Sequence, residues 1–552
     1  MLRLAAVAAA LAPFLPAQDL TWFEGTVPTS LALRSVPESN PSTSPRTVLT
    51  DVELLPLEMT GRTLQQELDP EHSRRLVRHG LTRIELPHGG RVLAYRRAAA
   101  QTYGYLQVDA GGRAIVLLEA PASGGLSPFE PALGVSPDGL WAAATSRDGN
   151  SLFVMRLDGG TFASTGTPTR ILSVPAGIEV DSVMPGRTHV FFASGDERVQ
   201  RCAMADGGQL EDVGPPPVAG ARVKSEMARS GDGSCVVYLY GVQPSFTLWM
   251  AGETGPARQL AAPPAKYEEP NYLPVFPTGP KMLLNEDGTR LMYTDATSRD
   301  EIYLLDTTGA TTTTQVTADH NFEPYIGIGI FPTFASATLV LGVGDPNRFD
   351  VVAATTNDLP VVNLTMTGPS PVRPFQPGAL DPETLSLTPS GAILIADHPI
   401  GGAMRLLAHD PASQTTQVLG DQLLGLPRAG DGLGVRPDVL IDSALGGRIV
   451  DGASAQVLLA APAGVGVRSD VALSPTFRVL DVTAGSLSAL VFMTAAGAVA
   501  LPPTTQPQQV SVSNRGGLLL DGASLLYVHP LGGPSTLQTS GSVRVLVSGR
   551  GV

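Results

Sequence analysis

The sequence predicts an all-β chain folded as a β-propeller of four-stranded blades, and three observations lead there. Charged residues are only 16% of the 552, while 60 Gly and 48 Pro make up about a fifth. That composition favours many short strands joined by turns over long solvated helices. A turn, strand, turn, strand pattern recurs about every 50 residues, the interval of propeller blades. The strand-like runs are apolar on both faces, as expected when neighbouring sheets cover each side.

The chain opens with MLRLAAVAAALAPFLPAQDL: a basic Arg3, an apolar segment from Leu4 to Leu15, and a small residue at Ala17. This tripartite pattern predicts a signal peptide over residues 1–17, cleaved after Ala17, and an exported protein, periplasmic or extracellular. No later stretch holds about 18 uninterrupted apolar residues, so no integral membrane segment is expected.

Residues 18–84 read as an N-terminal extension. PESNPSTSPRT, from Pro37 to Thr47, has the composition of a polar loop or linker, and QQELDPEHSRRLVRHG, from Gln65 to Gly80, could form a short helix. Its Arg74, Arg75, Arg78, His72 and His79 read better as a solvated face than as a partner patch. The extension could also donate a strand that closes a ring of blades.

The propeller is expected over residues 85–552. VSPDGLWAAATSRDGNSLFVMRLDGG begins at Val135, SVMPGRTHVFFASGDERVQRCAMADGG at Ser182, RSGDGSCVVYLYGVQPSFTLWMAGETG at Arg229 and LNEDGTRLMYTDATSRDEIYLLDTTG at Leu284. The turn glycines Gly139, Gly186, Gly233 and Gly288 are spaced by 47, 47 and 55 residues. Gly89 lies 50 residues before them and Gly391 lies 103 after, two periods, with FPTFASATLVLGVGDPNRFDVVAA in the middle. Asp-Gly is a preferred tight-turn pair, and the runs LWAAAT, HVFFAS, CVVYLY and RLMYTD have strand length.

SPDGLWAAATSRDGNSLFVMRLDGG resembles the repeat of TolB-type, WD-repeat-like propellers: Ser-Pro-Asp-Gly, an apolar strand, a polar turn, a second strand and Asp-Gly-Gly. The match is partial at Gly233, Gly288 and Gly391, lacks the Asp at Gly186, and covers roughly residues 85–425. Beyond 430 the marks Gly447, Phe477 and Gly516 are compressed to 30 and 39 residues, which suggests partial blades. The count predicted is eight blades, with seven next and two propellers third. The resemblance implies an interaction protein of the bacterial envelope, and the chain is expected to be a monomer that recognises a protein or peptide at the channel face or rim loops.

The acidic balance, 51 Asp and Glu against 37 Lys and Arg, argues against nucleic acid. No Gly-x-Ser-x-Gly elbow, His-Glu-x-x-His, phosphate loop or calcium loop is present. The acids Asp295, Asp300, Glu301 and Asp306 lack calcium-loop spacing and read as turn acids. Phe-Glu-Pro recurs at Phe129–Pro131 and Phe322–Pro324, and Tyr-Glu-Glu-Pro ends at Pro270. In TolB-like repeats the segment entering the innermost strand lies near the channel mouth. The resemblance therefore implies a binding site of Glu130, Glu269 and Glu323, with His320 and Asn321 nearby. Such a set could bind a basic peptide or a divalent cation, or serve a hydrolase or lyase; alternatively each Glu caps its own blade or meets solvent. No cofactor and no catalytic residue is assigned. Cys202 and Cys235 could form a disulfide after export, and Trp141 and Trp249 read as packing between blades.

Overall fold

The computed structural model describes, with gaps, residues 19–60, 83–260, 265–266, 282–315, 329–365 and 385–551. The signal-peptide segment and the segment Gln65–Gly80 lie outside the described residues. Among the described residues the regular structure is β, and no helix is long and apolar enough to cross a membrane.

The repeat begins with its turn. Ser136 Oγ donates to Asp138 Oδ1 at 2.5 Å and accepts from the Trp141 N–H at 3.0 Å, while Asp138 Oδ1 also accepts from the Leu140 N–H. The same pair of side chains organises Ser146/Asp148 and Ser230/Asp232. Each turn holds its backbone polar groups before the next strand starts. Gly233 sits at φ +73°, a left-handed conformation that suits Gly. Gly186 is kept for a different reason: a Cβ there would lie 2.4 Å from the Gly233 carbonyl oxygen, so the turns of adjacent sheets touch backbone to backbone.

Between these turns the chain forms ten sheets among the described residues, where the repeat marks predict eight blades. Nine of them follow one another along the chain: 132–173, 184–212, 222–266, 282–315, 329–365, 385–423, 428–460, 465–500 and 509–551, here the second to tenth sheets. Each is an antiparallel four-stranded meander, three with an added strand. The compressed marks beyond residue 430 therefore belong to complete sheets, not partial ones. The eighth sheet has short strands, such as Val439–Ile441 and Arg448–Val450, and the ninth has long strands joined by tight connections, as between Phe477–Ala484 and Leu487–Thr494, so the period shortens without loss of a strand.

The first sheet has eight strands. Asp19–Val27, Ser30–Pro37 and Arg46–Leu55 pair in sequence, and Arg46–Leu55 continues onto Arg91–Arg97, Thr102–Val108 and Ala114–Pro121, with Arg83–Glu85 also on Arg91–Arg97. The strands at either end of the polar stretch Pro37–Thr47 pair with each other as a hairpin. On the outer side of Asp19–Val27 lies Val543–Leu546, with Trp22 opposite Leu546 and Phe23 opposite Val545, so the two ends of the described chain share one sheet. Beside this seam Glu24, 3% exposed, accepts from Arg34 Nε at 2.6 Å and from the Trp22 indole at 3.2 Å.

The core lies between sheets rather than inside any of them. In HVFFAS, Val190 and Phe192 pack with Ala143, Val154 and Cys202 against the second sheet. Phe191 and Ala193 pack with Val236 and Tyr238 against the fourth. CVVYLY divides the same way, Val236 and Tyr238 towards the third sheet and Cys235 and Val237 towards Leu284 and Leu291 of the fifth. Similar layers join the first sheet to the second, the seventh to the eighth and the eighth to the ninth. Each buried aliphatic or aromatic side chain contributes about 1.5–3 kcal/mol.

Phe23 tests the seam. It is fully buried on the strand that Val543–Leu546 pairs with. Phe23→Ala is expected to cost about 3–5 kcal/mol, read as a lowered midpoint in thermal or urea unfolding; an unchanged midpoint contradicts this reading.

Candidate functional site

Glu130, Glu269, Glu323, His320 and Asn321 lie outside the described residues. The described residues do include the framework those segments lead into. The first strand of each of the second, third and fourth sheets occupies the same edge, and the three edges meet. A Cβ on Gly134 would lie 2.5 Å from Pro185 Cδ, and one on Gly233 2.9 Å from Pro137 Cγ. Arg229, on the first strand of the fourth sheet and 2% exposed, donates through Nη1 to the Val135 carbonyl at 2.9 Å and to the Pro185 carbonyl. One guanidinium thus ties three successive sheets at a common edge, satisfying carbonyls that would otherwise be buried without donors. The opposite edges face outwards, with Ile171, Val457 and Leu458 exposed on fourth strands. Sequence reasoning passed over Arg229; its one signal is a basic residue directly before the turn serine of a strand that is otherwise mostly buried.

Near the ends of the third strands, polar side chains cross from sheet to sheet at a repeated position. Gln107 donates to the Leu157 carbonyl at 2.7 Å, Arg170 to the carbonyls of Ala203 and Ala205, and Arg258 to that of Thr307. At the junction of the third and fourth sheets Arg201 donates to the carbonyls of Gly252 (2.7 Å) and Gly255 (2.9 Å) and is paired with Glu211 at 2.6 Å.

This last junction carries the richest chemistry among the described residues. Glu253 accepts from the Thr188 N–H at 2.5 Å, from the Thr188 hydroxyl at 2.7 Å and from Arg187 at 3.3 Å. With its one proton given to Glu253, the Thr188 hydroxyl accepts from His189 Nδ1 at 2.8 Å. The neutral imidazole then presents Nε2 as an acceptor. Burial pushes the His189 pKa down; Glu253 and Glu211 raise it and Arg201 lowers it, with a net fall. The arrangement can hold a neutral imidazole and accept a proton at Nε2. Nothing in the local sequence around His189 signals this set, because its partners are assembled across two sheets.

Both cysteines are free thiols. Cys202 lies in the layer between the second and third sheets and Cys235 in that between the fourth and fifth. Burial raises both thiol pKa values, outweighing the nearby Arg170 at Cys202 and the Ser230 and Ser234 hydrogen bonds at Cys235. Asp306 accepts from Thr308 N–H and Oγ1 and faces Arg290 at 3.6 Å. Among the described residues no three His, Cys, Asp or Glu are grouped to hold a metal ion. Trp141 packs against Phe162 with ring centroids 5.9 Å apart, and Trp249 meets Tyr240 edge-on while its indole donates to Thr247.

No protein-family model matches the sequence, and no curated protein matches it. Among solved structures the chain is similar to TolB from Acinetobacter baumannii, at 14% identity over 63% of this chain and 80% of that one, with a TM-score of 0.25. It is also similar to an oligogalacturonate lyase from Vibrio parahaemolyticus, at 10% identity over 66% and 95%, TM-score 0.30. A third is a β-propeller domain from Myceliophteria thermophila, at 10% identity over 61% and 99%, TM-score 0.28.

Two measurements check the site as described. Ellman's reagent should find neither thiol in the folded protein and both after denaturation; rapid reaction of the native protein contradicts the burial. For His189 the sign follows from its lowered folded pKa: the unfolded chain binds the proton more readily, so stability falls as pH drops below about 6.5 towards the folded value. His189→Gln should lose less thermal stability between pH 7 and pH 5.5 than the natural protein; an identical loss argues against His189 as the source.

Proposed function

We propose that the chain is an exported, monomeric β-propeller that binds a protein or peptide at the mouth of its axis, with Glu130, Glu269, Glu323, His320 and Asn321 facing the ligand. The observation that carries this reading is the meeting of three first strands at Arg229. Where successive first strands share an edge, the segments leading into them begin close together, and Glu130 stands two residues before Ala132 in the sequence. The shared sheet formed by Asp19–Val27 and Val543–Leu546 supports a ring of blades rather than an open stack. A formal net charge of −14 favours a basic segment as the ligand, with the acids setting orientation and encounter rate.

The test is fluorescence anisotropy with a labelled Lys/Arg-rich dodecapeptide, comparing the natural chain with E130Q/E269Q/E323Q. The triple variant should bind at least tenfold more weakly, and the natural chain should lose affinity as salt rises. Equal affinities would overturn the assignment of these acids. N-terminal sequencing of protein recovered outside the cytoplasm should begin at Gln18; retention of residues 1–17 in the cytoplasm would overturn export.

A further inference from the structure

After Leu55 the chain leaves the first sheet, and Glu58–Thr60 runs beside the first strand of the second sheet, Ala132–Val135. The register sets Glu58 opposite Ala132, Met59 opposite Leu133 and Thr60 opposite Gly134, and the pairing is parallel. The other strand pairs between described residues are antiparallel, most of them within hairpins or meanders. Glu58–Thr60 is therefore an insertion from a distant part of the sequence onto an edge that belongs to the inner rim described above.

Two features separate it from an ordinary sheet strand. Its pairing is parallel, the weaker ladder per residue, and no tight turn holds it to its partner. The edge it covers is also bounded: one residue beyond Gly134, the Val135 carbonyl is already occupied by Arg229. A strand edge of unpaired N–H and C=O groups is a ready template for an added segment, and a partner's extended peptide is a common occupant of such edges.

The geometry points to a strand-addition site on the inner edge of Ala132–Gly134, held closed by the chain's own Glu58–Thr60 and opened to an extended peptide of a protein partner when that segment leaves. The peptide would add in parallel, with an apolar residue at the position of Met59, opposite Leu133. A self-occupied site lowers the affinity seen from outside by the fraction of time it stands open, so weakening the internal strand strengthens external binding. The acidic residues of the proposed function play no part in this site, and either can fail without the other.

The probe is a fluorescein-labelled peptide PLEMTGR, the sequence of residues 56–62, titrated against the full natural chain and against Met59→Pro. Proline holds φ at about −65° and is poorly tolerated inside a strand, which disfavours the pairing. Met59→Pro should bind the peptide at least tenfold more tightly than the natural chain and ignore a scrambled peptide. Hydrogen exchange at Ala132–Gly134 should accelerate in the variant and slow again when peptide is added. Equal affinity for both chains, or exchange at Ala132–Gly134 that the substitution leaves unchanged, overturns the proposal. Exchange in the hairpin Trp141–Arg156 reports whether the variant is folded; if that protection is lost, Met59→Gly is read by the same criteria.

Discussion

Burial of both faces of inner strands such as His189–Ser194 and Cys235–Val242 is the constraint on which the rest of the structure depends. A sheet with one wet face can keep its register through alternation alone, but Val190, Phe191, Phe192 and Ala193 face two different neighbours in strict succession. No sheet of this kind is stable by itself, because removing one neighbour would expose half of its apolar residues. Stability is therefore shared among sheets, and the turns must deliver each strand at a fixed spacing. The Ser-x-Asp-Gly turns do so by binding their own backbone before the strand begins.

Dry interfaces between sheets leave carbonyls at the strand ends without partners, and the chain answers with long donors from the adjacent sheet. Gln107, Arg170, Arg201 and Arg258 reach across at equivalent places. Burying a guanidinium is costly unless its protons are used, and Arg201 shows how that cost is offset, with two carbonyls and Glu211 around one side chain. The same junction holds His189 beside Thr188 and Glu253, so structural tethering and proton-binding capacity coincide there.

The fold was legible where local chemistry repeats. Gly139, Gly233 and Gly288 adopt positive φ in Asp-Gly turns, and the interval between them announced the sheets. Gly186 kept the interval without the Asp, because its constraint is the nearness of Gly233, which no local pattern records. Beyond residue 430 the turn signature fades while four-stranded sheets continue, as in Arg448–Val450 and its neighbours, so counting by turns undercounted. The inner edge was harder to read. Arg229 and Glu58–Thr60 act on residues far away in sequence, and neither periodicity nor spacing encodes a contact between separate sheets. The acids Glu130, Glu269 and Glu323 were found by motif recurrence, which gives their order along the chain but not their distances.

Because Asp19–Val27 and Val543–Leu546 are neighbours in one sheet, strands near opposite ends of the described chain complete each other. Synthesis supplies them at opposite times, so every intermediate length of chain has an uncovered seam at Phe23. Joining segments this distant adds little entropic cost per extra residue, since closure entropy grows only logarithmically, but contacts of such long range form slowly. The growing polypeptide must therefore keep an apolar strand edge from meeting other chains until Val543–Leu546 has been made, which makes assembly, more than equilibrium stability, the vulnerable stage in the life of this molecule.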